Sequence, residues 1–310
     1  MKTASTILEV NPAALAAARL GDYVELLRVR VSLLVLFTVA AGAFLAADGV
    51  PEGVLLLNAL IGTALVAAGA SSLNQFMERQ SDALMTRTEN RPLPAGRVAP
   101  WEVLLLGAFL SVAGVVYLLL TLRQPMTAAV AAFTHLTYVF LYTPLKRCTP
   151  LNTLIGAVPG ALPPVIGWTA VRGTLDREAA ALFLIVFVWQ VPHFLAIAWI
   201  YREQYARAGL QMLPVVDPEG VQTGRQMVRY CLALLPVSLF PAMLGMAGPL
   251  YVAVAVVLGL AFLRSCWAFS VASSNGQARR VLRASLLYLP LLLLVLLLDG
   301  LARSLTWAAT

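Results

Sequence analysis

Three side chains with hard oxygen donors recur at a four-residue interval, Asn74, Glu78 and Asp82, in the stretch NQFMERQSDALMTRTENRPLPAG behind a long apolar run. At 3.6 residues per turn this spacing predicts one helix face carrying an amide and two carboxylates. Such a stack suits Mg2+, which takes a few protein oxygens and completes its shell with water and substrate phosphates. Arg87 and Arg91 follow, again four apart, with guanidinium forks that can grip phosphate oxygens. A phosphate-bearing substrate bridged to a metal accounts for both signs of charge in one place. The alternative is a solvated helix end on which Glu78 and Asp82 pair with Arg79, Arg87 and Arg91, an arrangement common on surfaces and worth little. Against it stands Asn74, an amide inside the apolar run, where polar groups are expensive and tend to be functional.

Those groups need helices that cross a bilayer to position them. With 60% of its 310 residues hydrophobic and 12% charged, the chain has more apolar surface than one soluble core can hide. It reads as an all-α integral membrane protein. Runs of about 20 residues, enough to span ~30 Å of hydrocarbon, occur near 31–48, 54–76, 101–121, 126–143, 151–171, 180–200, 230–248, 250–270 and 284–302, which predicts about nine transmembrane helices. An odd number puts the termini on opposite sides. Of the 22 Lys and Arg, all but Arg123, Arg172, Arg177 and Arg303 fall on one side, so the positive-inside rule predicts a cytoplasmic N-terminus and an outside C-terminus. The net charge of +7 therefore marks orientation, and no nucleic-acid partner is expected.

Residues 1–30 read as a cytoplasmic segment with a short amphipathic helix, Arg28 and Arg30 lying at headgroup level, and 31–304 as a single transmembrane domain. The N-terminal segment lacks both a signal-peptide pattern and the Arg- and Ser-rich, acid-poor composition of a transit sequence, which points to a prokaryotic plasma (inner) membrane. The longest polar connections, 77–100 and 201–229, lie on the predicted cytoplasmic side, and function is expected there. A coarse similarity links the halves: a helix ending in an acidic segment, then a basic loop with Pro and Gly, occurs near 74–97 and again near 189–229. Repeats of this kind build transporters as well as enzymes. Cys148, Cys231 and Cys266 form neither a metal motif nor an even disulfide set and read as packing residues.

A second polar group lies in WQVPHFLAIAWIYREQYARAGLQMLPVV, residues 189–216. Pro192 removes a backbone donor and is expected to kink its helix, while Trp189, Gln190 and His193 sit inside the apolar run. His193 is a candidate ligand or hydrogen-bonding group for a molecule held in the bundle; the plainer alternative is a bond to a neighbouring helix. Glu203 is placed to complete an acidic lining opposite Asn74, Glu78 and Asp82. Between the clusters, YTPLKRCTPLNTLIGAVPGALPPVIGW brings Lys146 and Arg147 to the same interface. Its Gly156, Gly160, Pro163 and Pro164 predict a broken span with close helix approach or a cavity. Tyr138, Phe140 and Tyr142 either face a carbocation or form an interfacial belt.

Together these three stretches resemble the protoheme IX farnesyltransferases, or heme O synthases, of the UbiA superfamily of intramembrane prenyltransferases, with the M-x-R-T-x-x-R-P-L and P-H-F signatures carrying the branch. The resemblance implies a UbiA-type bundle and an enzyme that joins farnesyl diphosphate to the 2-vinyl group of heme b, adds water and releases diphosphate, giving heme O. It implies that Asn74, Glu78 and Asp82 are catalytic and hold Mg2+ with the diphosphate, and that Glu203 shares in the metal site. Arg87, Arg91, Lys146 and Arg147 would contact phosphate and His193 would bind heme. A heme A synthase or terminal oxidase assembly is the partner it suggests. One departure is visible: where the family has an acidic pair before the Tyr of its second motif, this chain reads Arg202, Glu203, Gln204, Tyr205, one charged ligand short for a second Mg2+. Also open are a quinone precursor or chlorophyll-type ring as acceptor, and a transporter of a phosphorylated lipid or heme. Phosphate-binding residues gathered on one side instead of at the midplane argue against transport.

Overall fold

The computed structural model describes residues 12–308; residues 1–11, with Lys2 and the start of the N-terminal segment, and 309–310 lie outside the described residues. No strand occurs among those described. The helices are α1 (Pro12–Leu26), α2 (Val29–Ala46), α3 (Gly53–Asp82), α4 (Pro100–Leu122), α5 (Pro125–Leu145), α6 (Asn152–Arg172) and α7 (Arg177–Ile200), then the short α8 (Arg202–Arg207) and α9 (Leu213–Val216), and last α10 (Val221–Met243), α11 (Pro249–Val271) and α12 (Asn275–Ala308). Eight of them, α3 to α7 and α10 to α12, are long and apolar enough to cross a membrane, and the α1–α2 pair, bent by 49°, brings the number up to nine.

Several helices overrun the apolar runs that announce them. α3 continues to Asp82 instead of ending at 76, α10 starts at Val221 instead of 230, and α12 at Asn275 instead of 284. Hydropathy marks what lipid covers, whereas the backbone hydrogen-bond ladder continues until a turn stops it. The 30 residues of α3 span about 45 Å, against ~30 Å of hydrocarbon, so its last turns stand beyond the apolar layer. The part of α3 beyond the apolar run, 77–82, carries Glu78 and Asp82, and Asn74 lies just inside it.

Small residues set how closely the helices approach. Gly69 of α3 packs against Gly107 and Ser111 of α4, and a Cβ on Gly107 would lie 2.8 Å from Leu73 Cγ, too close for any side chain. In α6 the helix breaks at Leu162, before Pro163 and Pro164, as the sequence indicates. Gly156 there faces the Tyr142 ring and Gly160 faces Gln190 of α7. α5 contains a π-helical stretch, Thr137–Tyr142. An extra residue in a helical turn rotates the downstream part of the helix by about 100°, which re-aims Thr143 and Lys146.

α7 packs against α6, α10 and α12, and its Leu182, Ile185, Trp189 and Leu195 join Tyr251, Phe262 and Tyr288 in the main core. Two of the three cysteines, 35 residues apart, meet in that core between α10 and α11, with Cys231 Sγ 3.3 Å from Cys266 Sγ. Outside, Trp101, Phe109, Leu120, Val257, Trp267 and Leu287 are exposed. Apolar exposure on this scale marks a lipid-facing surface and identifies a multi-pass membrane protein.

Candidate active site

The end of α3 lies beneath the loop that follows it. Asn74 and Asp82 are each 1% exposed. After Asp82 the chain folds back through a series of tight turns: Thr88 Oγ1 donates to the Asp82 carbonyl at 2.8 Å, while Met85, Leu93 and Val98 are buried. The return brings Arg91 onto α3, where its Nη1 donates to Asp82 Oδ2 at 2.6 Å. Glu78 is met from α5 instead, by Lys146 Nζ donating to Oε1 at 2.7 Å from above the Tyr142 ring. Asn74 Nδ2 donates to Thr143 Oγ1 at 3.1 Å, and Arg147 Nη2 reaches Ser81 Oγ at 3.4 Å.

One pairing of the ion-paired helix end is present, Asp82 with Arg91, but it is buried instead of solvated. Arg79 turns back to the Phe76 carbonyl, and Arg87 goes to another element. The two ion pairs that form are largely removed from water, with side-chain exposures of 2% and 19% for Asp82 and Arg91 and 12% and 13% for Glu78 and Lys146. Burial, then the charge of Arg28, lowers the Arg91 guanidinium from its ordinary value. Burial is the largest influence on the Lys146 ammonium and would lower it too, but the Glu78 carboxylate together with the Tyr142 and Tyr138 hydroxyls outweighs it and the net shift is upward. Taking charges out of water costs several kcal/mol per ion, and removing one member of such a pair costs about 3–5 kcal/mol.

The donor set fits a hard cation. Asn74 Oδ1 is buried and has no hydrogen-bond partner, so the amide that donates to Thr143 presents a bare oxygen on the helix face that carries Glu78 one turn on and Asp82 a further turn on. Among the described residues no group of three or more His, Cys, Asp or Glu gathers as a metal site. An ion held here therefore draws further ligands from substrate oxygens and water, the habit of Mg2+ at phosphate sites.

The loop after α7 arrives at the same end of the bundle. Arg87 Nη2 donates to the Tyr205 hydroxyl at 3.2 Å and its guanidinium lies over the rings of Tyr201 and Tyr205, 4.6 and 5.7 Å from their centroids. The Arg87 N–H donates to Gln204 Oε1 at 3.3 Å, so the amide that departs from the acidic pair ties the two loops together. Met85 packs with Tyr205, Leu210 and Met212. Asp217 caps α10 by accepting from the Thr223 N–H and hydroxyl. The Glu203 carboxylate faces solvent, 83% exposed and 3.8 Å from Arg202. Tyr205 is visible in the sequence only as the Tyr of the second motif and Tyr201 not as a site residue at all, although their four-residue aromatic spacing marks them as neighbours on one face. Thr143 offers no local signal at all.

His193 occupies a separate place, between α7 and α12. α7 runs unbroken through Pro192. The imidazole stacks on Trp189, centroids 4.9 Å apart, and its Nδ1 lies 2.8 Å from Ser285 Oγ. Ser285 Oγ also lies 2.7 Å from the Leu282 carbonyl; with its single hydroxyl proton given there, Nδ1 is the donor and Nε2 keeps a lone pair. Ser285 also accepts the Trp189 indole N–H on its carbonyl. Nothing in the sequence around Ser285 singles it out. Of the three aromatics before Lys146, Tyr138 and Tyr142 pair at 5.5 Å while Phe140 is exposed.

Buried cations and oxygen donors thus cap one end of an apolar helical bundle. The sequence profile of the UbiA prenyltransferase family fits residues 35–290, and the chain belongs to that family of membrane-embedded enzymes. Its curated relatives narrow the class. The chain is 48% identical over 290 residues to a protein of Solibacter usitatus named protoheme IX farnesyltransferase, covering 90% of this chain and 98% of that one. A protein of the same name in Koribacter versatilis is 44% identical, with 91% and 94% covered. Among solved structures, the fold is similar to a digeranylgeranylglyceryl phosphate synthase (TM-score 0.78, 17% identity, 92% and 99% covered). It is also similar to a UbiA homologue of Archaeoglobus fulgidus bound to DMAPP and Mg2+ (TM-score 0.59, 17% identity, 91% and 98% covered).

Proposed function

We propose that the chain is a protoheme IX farnesyltransferase, transferring the farnesyl group of farnesyl diphosphate to the 2-vinyl group of heme b, with addition of water, to give heme O and diphosphate. The observation that carries this reading is the buried face of Asn74, Glu78 and Asp82, flanked by Arg91 and Lys146 at the end of an apolar bundle. The acceptor comes from the shared name of relatives at 44–48% identity.

Asn74, Glu78 and Asp82 would hold Mg2+, which supplies charge neutralisation on diphosphate oxygens. Arg91 and Lys146 donate to the same oxygens, Arg147 stands at the rim, and Arg87 is held on Tyr201 and Tyr205 to close the site over them. Negative charge grows on the diphosphate as the bond to the first farnesyl carbon breaks, and donors fixed in advance stabilise that change more than water does. The vinyl π electrons form the new carbon–carbon bond. The cation left next to the pyrrole takes up water and releases a proton. His193 offers Nε2 to the heme iron. Both substrates are largely apolar, so the bilayer supplies them, with residues 31–304 as one domain and the N-terminus and the polar end of α3 facing the cytoplasm.

The decisive experiment is mass analysis of heme extracted from membranes containing this protein, heme b and farnesyl diphosphate, with and without Mg2+. Hydroxyethylfarnesyl heme formed only with Mg2+ is expected; unmodified heme b alongside folded protein would overturn the reading.

A further inference from the structure

A second cationic pocket adjoins the stripe at the elbow between α1 and α2. Arg28 there has left-handed backbone angles, φ 47° and ψ 51°, which cost a side-chain-bearing residue roughly 1–2 kcal/mol. α3 holds the elbow in place: Ser71 Oγ and Gln75 Nε2 both donate to the Leu26 carbonyl, at 3.0 and 2.8 Å, and Leu26 is fully buried. A cavity of about 360 Å3 opens at this point, with Arg28 and Arg91 on one part of its lining and Val24, Val29 and Val31 on another. Its volume is at the low end for small-molecule sites, suited to a headgroup rather than a whole macrocycle.

Charge in the pocket is unbalanced. Arg28 is half-buried, and among the described residues its guanidinium makes no ion pair or hydrogen bond. The one carboxylate on the lining, Glu25, is half-exposed and shares Arg97 with Asp22, at 3.3 and 2.7 Å. Arg91 is drawn to Asp82, and the charge of Arg28 acts on both of them. The first turn of the 18-residue α2 adds the positive end of its dipole. Two guanidinium groups, an apolar wall and, among the described residues, a single half-exposed acid define what would fill the space.

We propose that this pocket binds the anionic head of an amphiphile, a phosphate or carboxylate gripped by Arg28 with Arg91 opposite, its hydrocarbon part lying along Val24, Val29 and Val31. Resting on the function proposed above, the head is the diphosphate of the prenyl substrate, which is received here from the lipid face and passed to Asn74, Glu78 and Asp82. Arg28 is then a substrate-binding residue that no motif marks.

The test uses the full chain in detergent, with Arg28→Gly and Arg28→Lys. Glycine takes the left-handed conformation without strain, so Arg28→Gly removes the guanidinium while easing the backbone. Pyrophosphate with Mg2+ is titrated by calorimetry, without any acceptor, and KM is measured separately for farnesyl diphosphate, heme b and heme b with both propionates esterified. Losing a charge-assisted contact predicts about tenfold weaker pyrophosphate binding and about tenfold higher KM for farnesyl diphosphate in Arg28→Gly, with Arg28→Lys intermediate. A rise confined to heme b and absent with the ester assigns the head to the porphyrin carboxylates instead. Unchanged values for all four probes in a folded Arg28→Gly overturn the site. If membranes make no farnesylated heme while pyrophosphate binding still depends on Arg28, the functional reading falls and the pocket stands.

Discussion

The loops after α3 and after α7 each follow a long helix and each mix arginine with acids, Pro and Gly, yet one buries its charge and the other displays it. In the first, Arg91 returns nine residues to an Asp82 that is 2% exposed. In the second, Glu203 stands 83% exposed, and the residues turned inward are Tyr205, Leu210 and Met212. What differs is the surface each loop folds onto. α3 ends in an amide and two carboxylates that face the bundle, whereas α7 ends at Trp199, Ile200 and Tyr201. Similar composition in two halves has thus become a division of labour, with oxygen and cation chemistry on the first loop and an aromatic clamp on the second.

The largest expected effect breaks the first loop. Asp82→Asn keeps the side chain's shape but removes its charge, and heme O formation should fall by about 100-fold or more, while a circular dichroism spectrum stays helical. Wild-type turnover in that variant would remove Asp82 from the site. Next comes the second buried pair. Lys146→Met leaves Glu78 unpaired and should lower stability by about 3–5 kcal/mol, whereas the double variant with Glu78→Met should regain most of that and still lack turnover. Recovered activity in the double variant would make the pair structural only.

Smaller effects are expected away from the stripe. His193→Ala should weaken heme binding about tenfold and alter the heme absorption band, with diphosphate affinity unchanged, and Ser285→Ala should give a weaker form of the same change as the imidazole loses its fixed tautomer. Identical spectra for all three proteins would return His193 to a packing role. The smallest effect sharpens the comparison itself: Glu203→Gln should leave the Mg2+ concentration for half-maximal activity within about twofold, as expected of an exposed carboxylate. A tenfold rise would restore Glu203 to the metal set and make the two loops alike after all.

Much of the fold is legible in the residue order. The apolar runs mark the spans, and the break at Pro163 is announced by its own ring. Less legible were the helix ends, because backbone hydrogen bonding ignores hydropathy, and the first span, which proved to be one arm of a bent pair. For the site, the period of four placed Asn74, Glu78 and Asp82 on one face. It was silent on Thr143 and Ser285, ordinary hydroxyl residues whose importance lies in what they touch.

Sequence by itself determined the membrane class, the oxygen-donor face of α3 and the family, because hydropathy, helical period and motif are properties of neighbouring residues. Only the tertiary structure decided which cation meets which acid. Lys146 reaches Glu78 across 68 residues, Arg87 reaches Tyr205 across 118, and Ser285 sets the His193 ring across 92. Partners that distant are chosen by how helices pack and by what burial leaves unsatisfied, and no local pattern encodes that choice.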